Sequence, residues 1–180
     1  MNNLLIKYIL PVISYIFTLK YRIFNSGRII FGKNFICNFR FKIKGNGRII
    51  FGDNVNAWAH REWNEFHLLT RDCVIRVGDN ARLNGAGIFA RKSVSIGSEC
   101  LLASTVIMDN DFHNHYKVDG DIPAEEVIIQ DNVWLAGQSA VMKGVKIGKN
   151  SILGFRGVAF TDIPENSIAI GNPAKIVKRF

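Results

Sequence analysis

The stretch Val127–Ala159 reads VIIQDN VWLAGQ SAVMKG VKIGKN SILGFR GVA, and an aliphatic residue takes the third place of each block of six: Ile129, Leu135, Val141, Ile147 and Leu153. Four residues after each comes a compact or β-branched one: Val133, Ser139, Val145, Ser151 and Gly157. A helix repeats its apolar positions about every 3.6 residues and a strand every two, so neither yields a period of six. A parallel β-helix does. Six residues make one flat face, three faces close a coil of about 18 residues, the bulky residue fills the centre and the compact one fits a tight corner.

Working back toward the amino end, the same corner recurs. Gly-Arg-Ile-Ile-Phe-Gly-Lys-Asn at 27–34 returns as Gly-Arg-Ile-Ile-Phe-Gly-Asp-Asn at 47–54. Weaker copies lie at Arg76–Asn80, Ser95–Glu99 and Lys146–Asn150, and Ile129–Asn132 carries Gln130 in place of the glycine. Gly and Asn at a fixed place supply the backbone freedom of a sharp turn. The steps Gly32 to Gly52 (20 residues) and Gly78 to Gly97 (19) are close to one coil. Gly52 to Gly78 (26) and Gly97 to Gln130 (33) are longer, which predicts insertions of eight residues near 56–70 and fifteen near 109–126. All four histidines, His60, His67, His113 and His115, fall in these two gaps. Loops ejected from a rigid stack are where chemistry is usually placed.

The amino-terminal end differs from the rest. Through Ile50 there are nine Lys or Arg and no Asp or Glu, whereas the remainder carries fourteen basic and fifteen acidic residues. A basic end of this kind attracts an anionic surface. Residues 1–24 read as an amphipathic helix, with Pro11 in its first turn, Val12, Ile16, Leu19 and Ile23 on one face, and Ser14, Thr18 and Arg22 opposite. Its uncharged run, Tyr8 to Leu19, covers about 18 Å at helical rise against a hydrocarbon core of about 30 Å, too short to span. The helix serves either to pack on the β-helix or a neighbouring subunit, or to lie on a membrane surface. Cys37, Cys73 and Cys100 are odd in number and show no C-x-x-C spacing, so neither a disulfide framework nor a cysteine metal site is indicated, and a reducing, cytoplasmic compartment follows.

The six-residue repeats from Ile129 and the end Gly171-Asn172-Pro173-Ala174-Lys175 resemble the hexapeptide-repeat acyltransferases, over roughly Val74 to Lys178. The resemblance implies an all-β, left-handed parallel β-helix at 25–170, preceded by the helix at 1–24 and followed by a basic tail at 171–180. It also implies a homotrimer that transfers acetyl from acetyl-CoA to a sugar hydroxyl in cell-surface polysaccharide synthesis. The acceptor would be nucleotide- or lipid-linked. No metal is expected: His113 and His115 lack the third histidine that the zinc-binding β-helix enzymes use. Nucleic acid is not expected as a partner.

In the resembled family the long loop carries an acidic residue and then a histidine that acts as general base. Here that assigns His113 as base, His115 as its rival and as an acceptor-binding group, and Asp109 or Asp111 as the carboxylate that orients the imidazole. Taken alone, a histidine pair in a polar loop is more often solvated surface. The resemblance also implies acceptor binding by Asn84, and acetyl-CoA binding along Trp134, Ala136, Gly137 and Gly154 with Lys175 near the phosphates. Residues Trp58, His60, Arg61, Trp63, Glu65 and His67 of the first gap could stack on a sugar or simply anchor their loop. The alternatives are N-acetylation of an amino sugar or antibiotic, and a non-catalytic membrane-associated scaffold.

Overall fold

The computed structural model describes residues 9–24, 27–114 and 121–180, and its strands follow the six-residue period coil by coil. After the helix α1 (Leu10–Ile23), the first coil consists of β1 (Ile29–Phe31), β2 (Ile36–Cys37) and β3 (Phe41–Gly45). The second has β4 (Arg48–Phe51), β5 (Asn56–Ala57) and β6 (Asn64–Leu68); the third has β7 (Val74–Val77), β8 (Arg82–Asn84) and β9 (Gly87–Ala90). The fourth has β10 (Ser93–Ile96), β11 (Leu101–Ala103) and β12 (Val106–Met108). The fifth has β13 (Val127–Ile129), β14 (Trp134–Leu135) and β15 (Ala140–Val141), and the sixth β16 (Lys146–Ile147), β17 (Ile152–Leu153) and β18 (Val158–Ala159). A last turn ends in β19 (Ser167–Ile170) and β20 (Lys175–Arg179). Like positions of successive coils stack into three sheets, the first from β1 to β16, the second from β2 to β20 and the third from β3 to β18, parallel throughout except for β20.

The register explains the sequence period. Ile129 pairs with Ile147, Leu135 with Leu153 and Val141 with Ala159, so one inward residue from each face meets its equivalents in the coils above and below. All six are essentially inaccessible to solvent. Near the amino end the filling turns aromatic. Phe51 lies between Phe31, Phe35, Phe41 and Phe66, with ring centroids 4.9–5.8 Å apart.

The two corner residues have separate tasks. Asn34, Asn54, Asn80, Asn132, Asn150 and Asn166 all adopt φ between 54° and 58°, the left-handed turn that Asn tolerates. Their side-chain amides bond from coil to coil: Asn34 Nδ2 donates to Asn54 Oδ1 at 2.9 Å, Asn54 Nδ2 to Asn80 Oδ1 at 3.2 Å, and Asn132 Nδ2 to Asn150 Oδ1 at 3.0 Å. Glu99, also at positive φ, takes the intervening place. The glycines before them answer to space instead of φ. A Cβ on Gly32 would stand 2.2 Å from the carbonyl oxygen of Gly52, and one on Gly148 2.2 Å from the amide nitrogen of Glu165.

Two expectations change, and the packing face of the helix is decided. The surplus in the first gap is not one loop over 56–70, because β5 and β6 pair in register with the coils on either side and bury Ala57, Phe66 and Leu68. The extra residues sit at the two corners flanking β6. The basic end at 171–180 is no free tail, since β20 turns back antiparallel on β19. The helix packs with its polar side inward: Ser14 and Thr18 are buried, while Val12, Ile16 and Ile23 are about 60% exposed (59%, 63% and 61%).

Among the described residues no coil precedes the first one to satisfy its backbone, and that decides the orientation of α1. The Cys37 amide donates to Ser14 Oγ at 2.9 Å, and the hydroxyl donates in turn to the Leu10 carbonyl at 2.6 Å. The Ile43 amide donates to Tyr21 Oη at 3.0 Å, with the Tyr21 ring edge-on to Phe41. The helix therefore serves as the end cap of the solenoid through its hydroxyls. Replacing Phe51 by Ala, which empties the centre of the aromatic cluster, should lower stability by about 3–5 kcal/mol in chemical denaturation.

Candidate active site

The long loop leaves the third sheet after Met108 and is closed at its root. Asn110 bridges antiparallel to Ala124, and the Glu125 amide donates to the Asp109 carbonyl at 2.8 Å. Asp109 is fully buried, and its carboxylate accepts the backbone amides of Arg91, Lys92 and Ser93, each at 2.7 Å, and the Asn110 side-chain amide at 3.0 Å. Its oxygens are thus occupied by the preceding coil. Asp111 pairs with Lys143 of the following coil. Phe112, at φ 60°, is held by a bond from its amide to Asn110 Oδ1 (2.9 Å) and sets its ring edge-on to Phe89. His113 follows it, exposed, its backbone amide bonded to the Asp111 carbonyl at 2.7 Å. His115 lies outside the described residues.

Beside this loop the outer surface of the third sheet forms a groove of about 540 Å³, bordered by Trp63, Glu65, Gly87, Phe89, Gln138 and Ala140. Phe89 links the groove to the loop, stacked on one side against His67 (centroids 4.5 Å, planes 25° apart) and meeting Phe112 on the other. His67 Nε2 lies 3.0 Å from Glu65 Oε2, and this hydrogen bond holds the Glu65 carboxyl below the ordinary carboxylate range.

Asn84 and the residues expected to bind acetyl-CoA lie elsewhere. Asn84 ends β8 at the edge between the second and third sheets, where its side-chain oxygen accepts the His60 amide at 2.9 Å. It lines a smaller cavity of about 250 Å³ with Leu10, Trp58, His60 and Arg82, away from His113. Further along the same edge the Ala136 amide donates to Leu153, and Gly154 to Ala169. Trp134 stands half-exposed on the second sheet, and Lys175 is exposed at the start of β20. A Cβ on Gly137 would press on the Phe155 ring at 3.2 Å, and one on Gly154 would meet Ile170 Cγ2 at 2.6 Å. Within one chain the Asn84 to Lys175 edge and the His113 loop lie on opposite borders of the third sheet.

All three cysteines are free and buried, and burial pushes Cys37 up to about 12 and Cys100 to about 11. Among the described residues, no cluster of three or more His, Cys, Asp or Glu is placed to hold a metal ion, and no helix is long and apolar enough to cross a membrane.

Set beside solved proteins, the solenoid has clear counterparts. The polysialic acid O-acetyltransferase OatWY superposes with a TM-score of 0.66 at 28% identity, over 84% of this chain and 74% of that one. The hexapeptide-repeat acetyltransferase VCA0836 of Vibrio cholerae, complexed with acetyl coenzyme A, does so with a TM-score of 0.57 at 20% identity, over 91% and 75%. The chain has the hexapeptide-repeat acetyltransferase fold. No family model matches it.

Curated relatives of this fold cover shorter stretches. A protein named as a candidate lipopolysaccharide biosynthesis O-acetyl transferase, WbbJ of Escherichia coli, is 32% identical over 120 residues, 59% of this chain and 61% of its own length. A candidate acetyltransferase of Saccharomyces cerevisiae, YJL218W, is 46% identical over 56 residues, 31% and 29% respectively. The match thus spans between about a third and three fifths of these relatives.

Sequence reasoning missed Lys143 and Phe89 beside this loop and groove, and named Glu65 and His67 without pairing them. The six-residue period marks which residues point inward, and carries no sign of which outward residues share a coil boundary. Substituting Asp109 by Ala removes a buried charge acceptor from three amides and should cost about 3 kcal/mol. The loss would be read as a lower midpoint of thermal unfolding, with faster amide exchange at Arg91, Lys92 and Ser93.

Proposed function

We propose that the chain transfers an acetyl group from acetyl-CoA to a hydroxyl of a saccharide in cell-surface polysaccharide synthesis, with His113 as general base. One observation carries the reading. The loop expected to bear the base is pinned at its root by Asp109 and leaves His113 open to solvent beside a groove of about 540 Å³. The relatives add support, since they are named as O-acetyltransferases of lipopolysaccharide and polysialic acid.

In this reading the acceptor hydroxyl gives its proton to the neutral imidazole as its oxygen bonds to the thioester carbonyl carbon. The carbon–sulfur bond then breaks and the proton passes from the imidazolium to the sulfur of coenzyme A. With Asp109 committed to the Arg91–Ser93 amides, Asp111 is the loop carboxylate available to orient His113, and Lys143 anchors it to the next coil. The pantetheine arm would run along the edge of Ala136, Gly137 and Gly154, toward Trp134 on one side and Lys175 on the other. His115 and Asn84 would contact the acceptor.

The donor edge and the His113 loop stand at opposite borders of one sheet, so we infer a trimer in which each chain's His113 faces the donor edge of the next. His113→Ala should lower kcat by 10²- to 10⁴-fold while leaving coenzyme A binding intact. Activity on an amino sugar that survives this substitution would move the reading to N-acetylation. Lys175→Ala should weaken coenzyme A binding about tenfold in calorimetric titration, the loss of one charged contact; unchanged affinity would remove Lys175 from the donor site.

A further inference from the structure

The terminal unit of a stacked-repeat protein ordinarily turns a polar face to solvent, because no further repeat covers it. The end cap of this solenoid does the reverse. Ser14 and Thr18 are buried, Ser14 accepting the Cys37 amide and Thr18 donating to the Ser14 carbonyl of its own helix, and the outer side of α1 presents Val12, Tyr15, Ile16, Leu19 and Ile23, followed by Phe24 at 80% exposure. Their spacing makes one continuous stripe along the helix. The apolar surface continues onto the first two coils, where Phe39 and Trp63 are about half-exposed and packed edge to face at 6.4 Å. Between Phe39 and Trp58 on the solenoid and Ile16 and Phe17 on the helix lies a mainly apolar hollow, with Asn38 in its wall.

The charge around this stripe selects its partner. The first 50 residues hold nine cations and no acid. Lys20 and Arg22 are exposed in the last turn of α1, Lys42 and Lys44 stand outward on β3, and the Arg40 guanidinium lies 4.5 Å over the Phe39 ring. A second copy docked through the same face would bring two such basic ends together, with Glu65 beside Lys42 and Lys44 offsetting part of the charge. An anionic lipid surface complements both parts, the stripe entering the acyl boundary and the cations meeting the headgroups. At 14 residues, about 21 Å, α1 lies in the plane of that surface and does not cross it.

We propose that the exposed face of α1, with Phe39 and Trp63 beside it, docks the protein on an anionic lipid bilayer. Trp63 also borders the acceptor groove, but the docking is argued from α1 and stands apart from the acetyl-transfer reading. If both hold, docking would bring the enzyme to acceptors carried on a lipid.

The test is sedimentation of the full chain with vesicles of phosphatidylcholine alone, or of phosphatidylcholine with phosphatidylglycerol. The expected result is binding to the phosphatidylglycerol vesicles that weakens as salt rises. Ile16→Asp with Ile23→Asp should cut the bound fraction at least tenfold, and the gentler pair Ile16→Ser with Ile23→Ser should reduce it less. Unchanged circular dichroism would show that the fold is kept. Failure of the wild type to bind, or binding that both pairs leave intact, would overturn the proposal. So would a fall in solution mass on substitution, which would identify the face as a contact between copies. Because no acyl donor or acceptor is present, a negative result here leaves the acetyl-transfer reading standing, and the reverse.

Discussion

Everything in this protein hangs on the backbone hydrogen bonds between one coil and the next, and on the corners that let consecutive coils come close enough to make them. Parallel strands of two to five residues hold little by themselves. Their stability comes from stacking, in which each inward aliphatic residue meets its equivalent above and below. The corners set the stacking distance. Where glycine stands, a β-carbon would collide with the backbone of the next coil, and where asparagine follows, the chain turns through a left-handed conformation while its amide bonds onward.

A scaffold of this kind has two weak places, its ends and its interruptions, and both carry the interest of this molecule. At the amino end, the open backbone of the first coil is closed by hydroxyls of a helix. The constraint that turns Ser14 and Thr18 inward turns the apolar side of the helix out. At the interruption after Met108, the coil is reopened for a loop and must be sealed again. Asp109 does so by taking three amides of the coil before it, and Asp111 and Lys143 tie the loop to the coil after it. The loop that bears His113 therefore stands on fixed ground.

The arrangement also divides the chemistry by geometry. Donor-binding candidates follow the edge between the second and third sheets because small residues recur there with the coil period. The His113 loop leaves from the other border of the third sheet. A rigid prism cannot fold these borders together, which is the physical ground for expecting a neighbouring copy to complete the site.

How much of this could be read in the chain depends on whether a residue answers to a local or to a stacked partner. Val127–Ala159 sufficed for the architecture, because a period of six with bulky and compact residues in alternation fits no other regular structure. The histidine loop was legible as surplus length in that period. The strand at β6 was not, because the surplus in its gap is shared between two corners and only its pairing with β3 and β9 shows Phe66 and Leu68 inside. Asp109 read as an orienting carboxylate, since its amide partners lie 16–18 residues away. Amphipathicity likewise marked two faces of α1 without saying which packs, because the amide that Ser14 satisfies exists only at the edge of a finished coil. Sequence by itself determined the repeat, the place of the loop and the character of the helix; the tertiary structure alone decided which polar groups are used up in holding coils together and which remain free to act.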